Sequence, residues 1–85
     1  MDTEEIPATR KATHGDFKAS AQFVQKLKQQ VRILSADKLD SIQQEGLDNI
    51  AQKMGRIVFG DPDCADHWDD IAGYAKLVSR HLTGV

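Results

Sequence analysis

The sequence predicts an all-α fold, a small three-helix unit that assembles into an oligomeric helical bundle. Three segments place apolar residues at steps of three and four, the spacing that forms one face of an amphipathic helix. The two prolines, Pro7 and Pro62, lie outside these segments and leave each of them uninterrupted. No stretch alternates apolar and polar residues in the way that a half-buried strand does. Short connections between three amphipathic segments favour a bundle.

The first helix is predicted from Asp16 to Leu34. Asp16 is a residue type that commonly caps a helix, because its carboxylate accepts hydrogen bonds from the free backbone N–H groups of the first turn. The apolar stripe that is expected to face the core consists of Phe17, Ala21, Val24, Leu27, Val31 and Leu34.

The second helix is predicted from Ala36 to Phe59, with Ser35 as its cap. Gly60 is placed to end this helix, and Pro62 follows just beyond, as is common after a helix C-terminus. The apolar stripe of this helix consists of Leu39, Ile42, Leu47, Ile50, Met54, Ile57 and Val58.

The third helix is predicted to open near Asp63, whose side chain can cap it, and to run to Leu82. Its two large aromatic residues, Trp68 and Tyr74, are expected to pack in the core, and the alternative for Trp68 is to stack on a base. Its apolar stripe consists of Cys64, Trp68, Ile71, Ala75, Val78 and Leu82.

The chain divides into a flexible arm, residues 1–15, and a single helical domain, residues 16–85. The arm has one large aliphatic residue after the initiator, Ile6, and otherwise mixes charged and small residues. A folded part this short often gains stability by association, so we expect a homo-oligomer, most simply a dimer. Gly73 and Leu77 lie opposite the core stripe of the third helix, where a partner helix could approach.

Composition narrows the classes of partner and the compartment. The net charge of −2, from 11 basic and 13 acidic residues, argues against nucleic acid as the main partner. The single cysteine, Cys64, cannot form an internal disulfide, which fits a reducing cytoplasm. The longest apolar run, Ile57-Val58-Phe59, is too short to span a membrane, so no membrane association is expected.

Acidic side chains form two pairs, one on the second predicted helix and one on the third. The members of each pair are three or four residues apart and therefore share a helix face. Carboxylate oxygens are the ligands that Mg²⁺ prefers, and nearby basic side chains could hold phosphate oxygens. The predicted metal ligands are Glu45, Asp48, Asp66 and Asp70, and the predicted phosphate-binding residues are Lys53 and Arg56.

The alternative interpretation is that these charges form an ordinary solvated surface. Acidic residues early in a helix are stabilised by the helix dipole and need no metal. The turn after the second helix should fold the third helix back antiparallel to it. In that arrangement Asp66 could pair with Arg56, and Asp70 would lie near Lys53 or Asp48.

The segment EGLDNIAQKMGRIVFGDPDCADHWDDIAGYAKL resembles the core of the MazG-like all-α nucleoside triphosphate pyrophosphohydrolases. That family carries an E-x-x-E pair on one helix and an E-x-x-D pair on the next, and these acids bind Mg²⁺. Glu45 and Asp70 match the first and last acids of that pattern, and Asp48 stands in for the second. His67 occupies the third position, and the neighbouring Asp66 could substitute for the missing acid.

The resemblance implies a protein that binds Mg²⁺ and a nucleotide. It would be either a pyrophosphohydrolase, in which a metal-activated water attacks phosphorus, or a catalytically weakened relative. Two of the four acids are shortened or displaced. The prediction therefore includes both an active pyrophosphohydrolase and a catalytically weakened relative. His67 and Asp69 are then expected to contact the nucleotide or a partner protein.

Over its whole length the chain is more similar to a family of small phage and prophage proteins of unassigned function. The matching features are THGDF, K-x-x-R-I and DHW-x-D-I-A-G-Y-A, found here at Thr13–Phe17, Lys53–Ile57 and Asp66–Ala75. This similarity implies a cytoplasmic protein of a bacterial host. It adds an alternative function, a non-catalytic phage accessory protein that binds and inhibits a host defence protein. A purely structural oligomeric bundle is the third hypothesis.

Overall fold

The chain folds into three helices, as predicted, and each is antiparallel to the next. The computed structural model describes residues 16–84, which form α1 (Phe17–Ser35), α2 (Ser41–Phe59) and α3 (Ala65–Thr83). Within this range there is no strand, and no helix is long and apolar enough to cross a membrane. The predicted arm, residues 1–15, lies outside the described residues.

Helix α1 begins where the sequence predicted. The Asp16 carboxylate accepts hydrogen bonds from the backbone N–H groups of Lys18, at 3.0 Å, and Ala19, at 3.4 Å, which confirms the N-cap. The helix ends at Ser35, one residue later than predicted. Ala36 then adopts a left-handed conformation with φ 45°, and its N–H donates to the carbonyl of Arg32.

The predicted start of α2 is wrong by five residues. Ser35 belongs to α1, and the next two residues, Ala36 and Asp37, have positive φ angles of 45° and 65°, which are incompatible with a continuing right-handed helix. Asp40 caps α2 instead. Its carboxylate accepts from the Gln43 N–H at 2.8 Å, and the Gln43 side-chain oxygen accepts from the Asp40 N–H at 2.9 Å. This reciprocal pair is a capping box.

The connection between α2 and α3 follows the prediction at one end and departs from it at the other. Helix α2 ends at Phe59 and Gly60 is its C-cap, although the φ of Gly60 is −127° rather than left-handed. Helix α3 starts at Ala65 with Cys64 as the N-cap residue, and no side chain caps it. The predicted cap at Asp63 is therefore wrong.

Helices α1 and α3 pack on opposite sides of α2, and any packing between α1 and α3 themselves is slight. Two glycines of α2 make this close approach possible. A Cβ on Gly55 would lie 2.5 Å from a methyl group of Val24 in α1, and a Cβ on Gly46 would collide with Val78 of α3. The two glycines are nine residues apart, which is half a turn of phase at about 100° per residue. Helix α2 is therefore the central helix of a three-helix layer.

The core of this layer is thin. Among the described residues the only buried hydrophobic side chains are Val24, 1% exposed, and Ala51. The stripes were predicted to face the core, and about half of their residues are covered at least in part, among them Ile50, Ile57 and Ile71. The following members of those stripes are instead exposed: Phe17, Leu34, Ile42, Leu47, Met54, Val58, Trp68, Ala75 and Leu82.

Candidate functional site

The four predicted metal ligands are distributed among separate polar contacts. Asp70 lies 2.8 Å from the Lys53 ammonium group, the pairing expected from antiparallel α2 and α3. This hydrogen bond from Lys53 is the main reason why the pKa of Asp70 lies below its ordinary value. Electrostatic interactions with His67 and Arg56 lower that pKa further. Asp70 is thus held as a carboxylate by the cations of its own chain.

The two acids of α2 also have partners within the chain. Asp48 lies 3.5 Å from the Arg32 guanidinium of α1 and accepts a 3.0 Å hydrogen bond from the Gln44 side chain. Glu45 is exposed and accepts a 3.0 Å hydrogen bond from the side chain of Asn49. Asp48 therefore faces α1, whereas Asp70 pairs across the other side of α2.

The predicted cluster of four carboxylates does not form within residues 16–84. No group of three or more His, Cys, Asp or Glu side chains in this range could hold a metal ion. The register explains why: since Lys53 lies beside Asp70, Asp66 lies level with Ile57, roughly 18 Å along the helix from Glu45. The predicted Asp66–Arg56 ion pair is also missing among the described residues.

The predicted contact residues of α3 divide between the interior and the surface. Asp69 is exposed, and its role as a contact residue stays a prediction. His67 is only 4% exposed, so the structure does not present it to a nucleotide or a partner. Trp68 was expected in the core, yet it is 54% exposed, and its indole N–H donates to the Pro62 carbonyl at 2.8 Å. The inward side of α3 is thus turned by about one residue from the predicted stripe.

Helix α2 has two uncovered sides, and their characters are opposite. Leu47, Met54 and Val58 recur at steps of seven and four on one of them, a quarter turn from the glycines that contact α1 and α3. All three side chains are exposed, Val58 by 58%. The other uncovered side carries Glu45, Asn49, Gln52 and Arg56.

Helix α3 adds to the apolar side. Its Val78 contacts α2, and Trp68, Ala75 and Leu82 lie about a quarter turn from Val78. Because α3 runs antiparallel to α2, this quarter turn brings them to the same face of the three-helix layer as the exposed apolar residues of α2. Trp68 and Leu82 are both more than half exposed there.

Helix α1 completes this face. Its Val24 contacts α2, and Leu34 lies a quarter turn away on the side that faces the same way, with 76% of its surface exposed. Half-buried Leu27 lies between them. We call this surface the apolar face, and its exposed large side chains are Leu34, Leu47, Met54, Val58, Trp68 and Leu82.

A second polar feature lies where α1, α2 and α3 have their ends. His81 Nε2, near the end of α3, lies 2.9 Å from the carboxylate of Asp40, the cap of α2. The Gln43 backbone N–H and this histidine lower the pKa of Asp40. A cleft of about 240 Å³ lies nearby and is lined by Arg32, Ser35, Asp37, Leu39, Asp40, Ser41 and Gln44. These residues lie in the connection between α1 and α2 or in the adjoining helix turns, so the cleft follows from the shape of this connection.

No protein-family model, curated protein or solved structure was found that matches this chain. The fold and surface define the class of protein directly: a small all-helical, three-helix domain in which six of the ten exposed large apolar side chains of the described residues lie on one face of the layer. The relations to MazG-like enzymes and to phage proteins stay predictions from the residue patterns.

The apolar face is the feature that sequence reasoning missed. Its residues were assigned to the core, because a helical period shows that a stripe exists and not which neighbour covers it. A signal was present in Gly46, Ala51 and Gly55, small residues on the sides of α2 that face its neighbours. Small residues in a helix allow close packing, and they indicated where the neighbouring helices lie.

Proposed function

We propose that this chain is a non-catalytic interaction module, a helical domain that acts by binding protein through its apolar face. The observation that carries this proposal is the set of six large apolar side chains exposed on one side of the layer. Monomeric soluble proteins rarely expose contiguous apolar patches of this kind, and such patches commonly mark protein interaction sites.

The free energy available at this face is substantial. Complete burial of one such side chain is worth about 1.5–3 kcal/mol relative to full exposure. The six side chains are on average about half exposed, so covering them would release about 5–9 kcal/mol before the cost of association is subtracted. If no partner covered this face, its apolar side chains would stay in water and make the protein prone to aggregation. A specific partner is therefore favoured.

The polar groups favour an interaction module over a nucleotide enzyme. Lys53, predicted to hold phosphate, is hydrogen-bonded to Asp70, a predicted metal ligand. Asp48 is likewise engaged by Arg32. Binding of Mg²⁺ and phosphate would first have to break these pairs. The nucleotide-dependent function therefore stays a prediction from the resemblance, as does a host defence protein as the partner.

A photo-crosslinking amino acid placed on either uncovered side of α2 tests the proposal. We would introduce it at Val58 on the apolar face and, as a matched control, at Gln52, which is exposed on the polar side. Irradiation of cells that express the full chain should give a discrete protein adduct from position 58 and none from position 52. Absence of any adduct at position 58, or equal adducts from both positions, would contradict the proposal.

A further inference from the structure

We infer that the occupant of the apolar face is a second copy of this chain, which packs its own apolar face against the first in a two-fold, isologous dimer. This inference rests on the proposed function and specifies the partner. The charge of the face, its area and the poor apolar match of residues 1–15 favour a second copy as the occupant.

The charge pattern suits self-association. The six side chains of the apolar face carry no charge, and the smaller exposed residues that share it, such as Ala72 and Ser79, are also uncharged. A two-fold interface brings identical patches together, so a charged patch would place like charges against each other. The charged groups lie on the other side of the layer, where Glu45 and Arg56 remain in water on both copies.

The area of the face matches the requirement of a stable dimer. Each helix has 19 residues and is therefore roughly 28 Å long. Three helices spaced 8–10 Å apart, with the width of their side chains, give a face roughly 25–30 Å wide. The product, roughly 700–840 Å², is close to the surface that each partner buries in a standard specific interface, about 800 Å².

Residues 1–15 are a poor match for this face. Residues 1–15 contain one large aliphatic residue after the initiator, Ile6, among charged and small residues, which is too little apolar surface to match six large side chains. The interior of one copy is also thin, with Val24 and Ala51 as its buried hydrophobic residues in the described range. A second copy supplies the missing core, as is common for domains this small.

Analytical ultracentrifugation of the full chain, from low to high micromolar concentration, tests the inference. We expect a species of twice the 9.4 kDa chain mass. Val58→Glu, which places a charge on the apolar face, should weaken the dimer by about a hundredfold or more, because the charge would be buried without a partner. The matched control Gln52→Glu places the same charge on the polar side and should leave the dimer intact.

A second measurement covers the case in which Val58→Glu does not fold. Wild-type chains carrying two different isotope labels are mixed, and contacts between methyl groups of Met54 and Leu47 on different copies are sought by isotope-filtered NMR. A monomer at high micromolar concentration, or a dimer that Val58→Glu leaves unchanged, overturns the inference. If the wild type is a monomer while position 58 still crosslinks to another protein in cells, the proposed function stands with a different partner. If position 58 gives no adduct either, both proposals fall.

Discussion

Glycine-to-alanine substitutions at two positions provide a direct test of how the helices pack. Gly55 on α2 faces α1, and an added Cβ would lie 2.5 Å from a methyl group of Val24 and 2.7 Å from the hydroxyl of Ser20. A Cβ added to Gly73 on α3 would meet no other atom of the described residues within 4 Å. Both glycines lie inside 19-residue helices, so the gain in helix propensity is similar at both sites.

The expected magnitudes follow from this difference. Alanine stabilises a helix interior by about 1 kcal/mol relative to glycine, so Gly73→Ala should raise the free energy of unfolding by up to that amount. At Gly55 the same gain is opposed by overpacking against Val24, which is 1% exposed, and overpacking typically costs about 1–3 kcal/mol. The two variants should therefore differ by about 1–3 kcal/mol, with Gly55→Ala the less stable.

Urea unfolding of both variants, followed by circular dichroism at one protein concentration, measures this difference. A gap of 1 kcal/mol corresponds to about 4–8 °C in melting temperature for a domain of this size. In a Val24→Ala background the Cβ has lost one of its two close neighbours, so the cost of Gly55→Ala should shrink. Equal stability of Gly55→Ala and Gly73→Ala would show that α1 does not pack against Gly55.

Two further predictions concern the polar contacts. Asp40→Asn should lower the melting temperature at pH 7, and by less as the pH falls below 3.8: the folded-state pKa of Asp40 is depressed, so its stabilisation is present above its ordinary value of 3.8 and disappears as the pH falls through the folded pKa. Thermal melts across this pH range check the convergence of the two proteins, and a constant difference would contradict it. Millimolar Mg²⁺ or Mn²⁺, with or without nucleotide, should leave the melting temperature unchanged, because Asp70 is already held by Lys53. A ligand at 100 times its Kd would add about 2.7 kcal/mol to the free energy of unfolding. A stabilisation of that size by Mg²⁺ or Mn²⁺ that disappears in Asp70→Asn would contradict this prediction and support a metal site.

Local signals in the sequence were sufficient for some boundaries and insufficient for others. Asp16 was identified as a cap because a polar cap residue directly precedes an apolar period, and the structure confirms it. The start of α2 was missed because Ser35 and Asp40 are both good cap residues. The choice between them depends on the left-handed backbone at Ala36 and Asp37, for which neither residue type is a strong signal.

The contacts of the candidate site could be predicted only where it could also be predicted which residues of neighbouring helices lie side by side. Antiparallel α2 and α3 placed Asp70 near Lys53 or Asp48, and the ion pair with Lys53 is present. The same register separates Asp66 from Glu45, which a comparison of spacings within each helix could not reveal. The position of Trp68 depended on how far α3 is rotated about its axis, and this rotation is set by the close contact of Val78 with Gly46 across the interface.

The central position of α2 also determines how the domain can come apart. Because α1 and α3 each rest on α2 and hardly on each other, α1 can open while the α2–α3 hairpin stays closed, and the reverse also holds. Either opening would be a partial unfolding event with its own free energy, below that of the whole domain. Helix α2 takes part in both contacts, so unfolding of α2 removes the packing partner of α1 and of α3 at once.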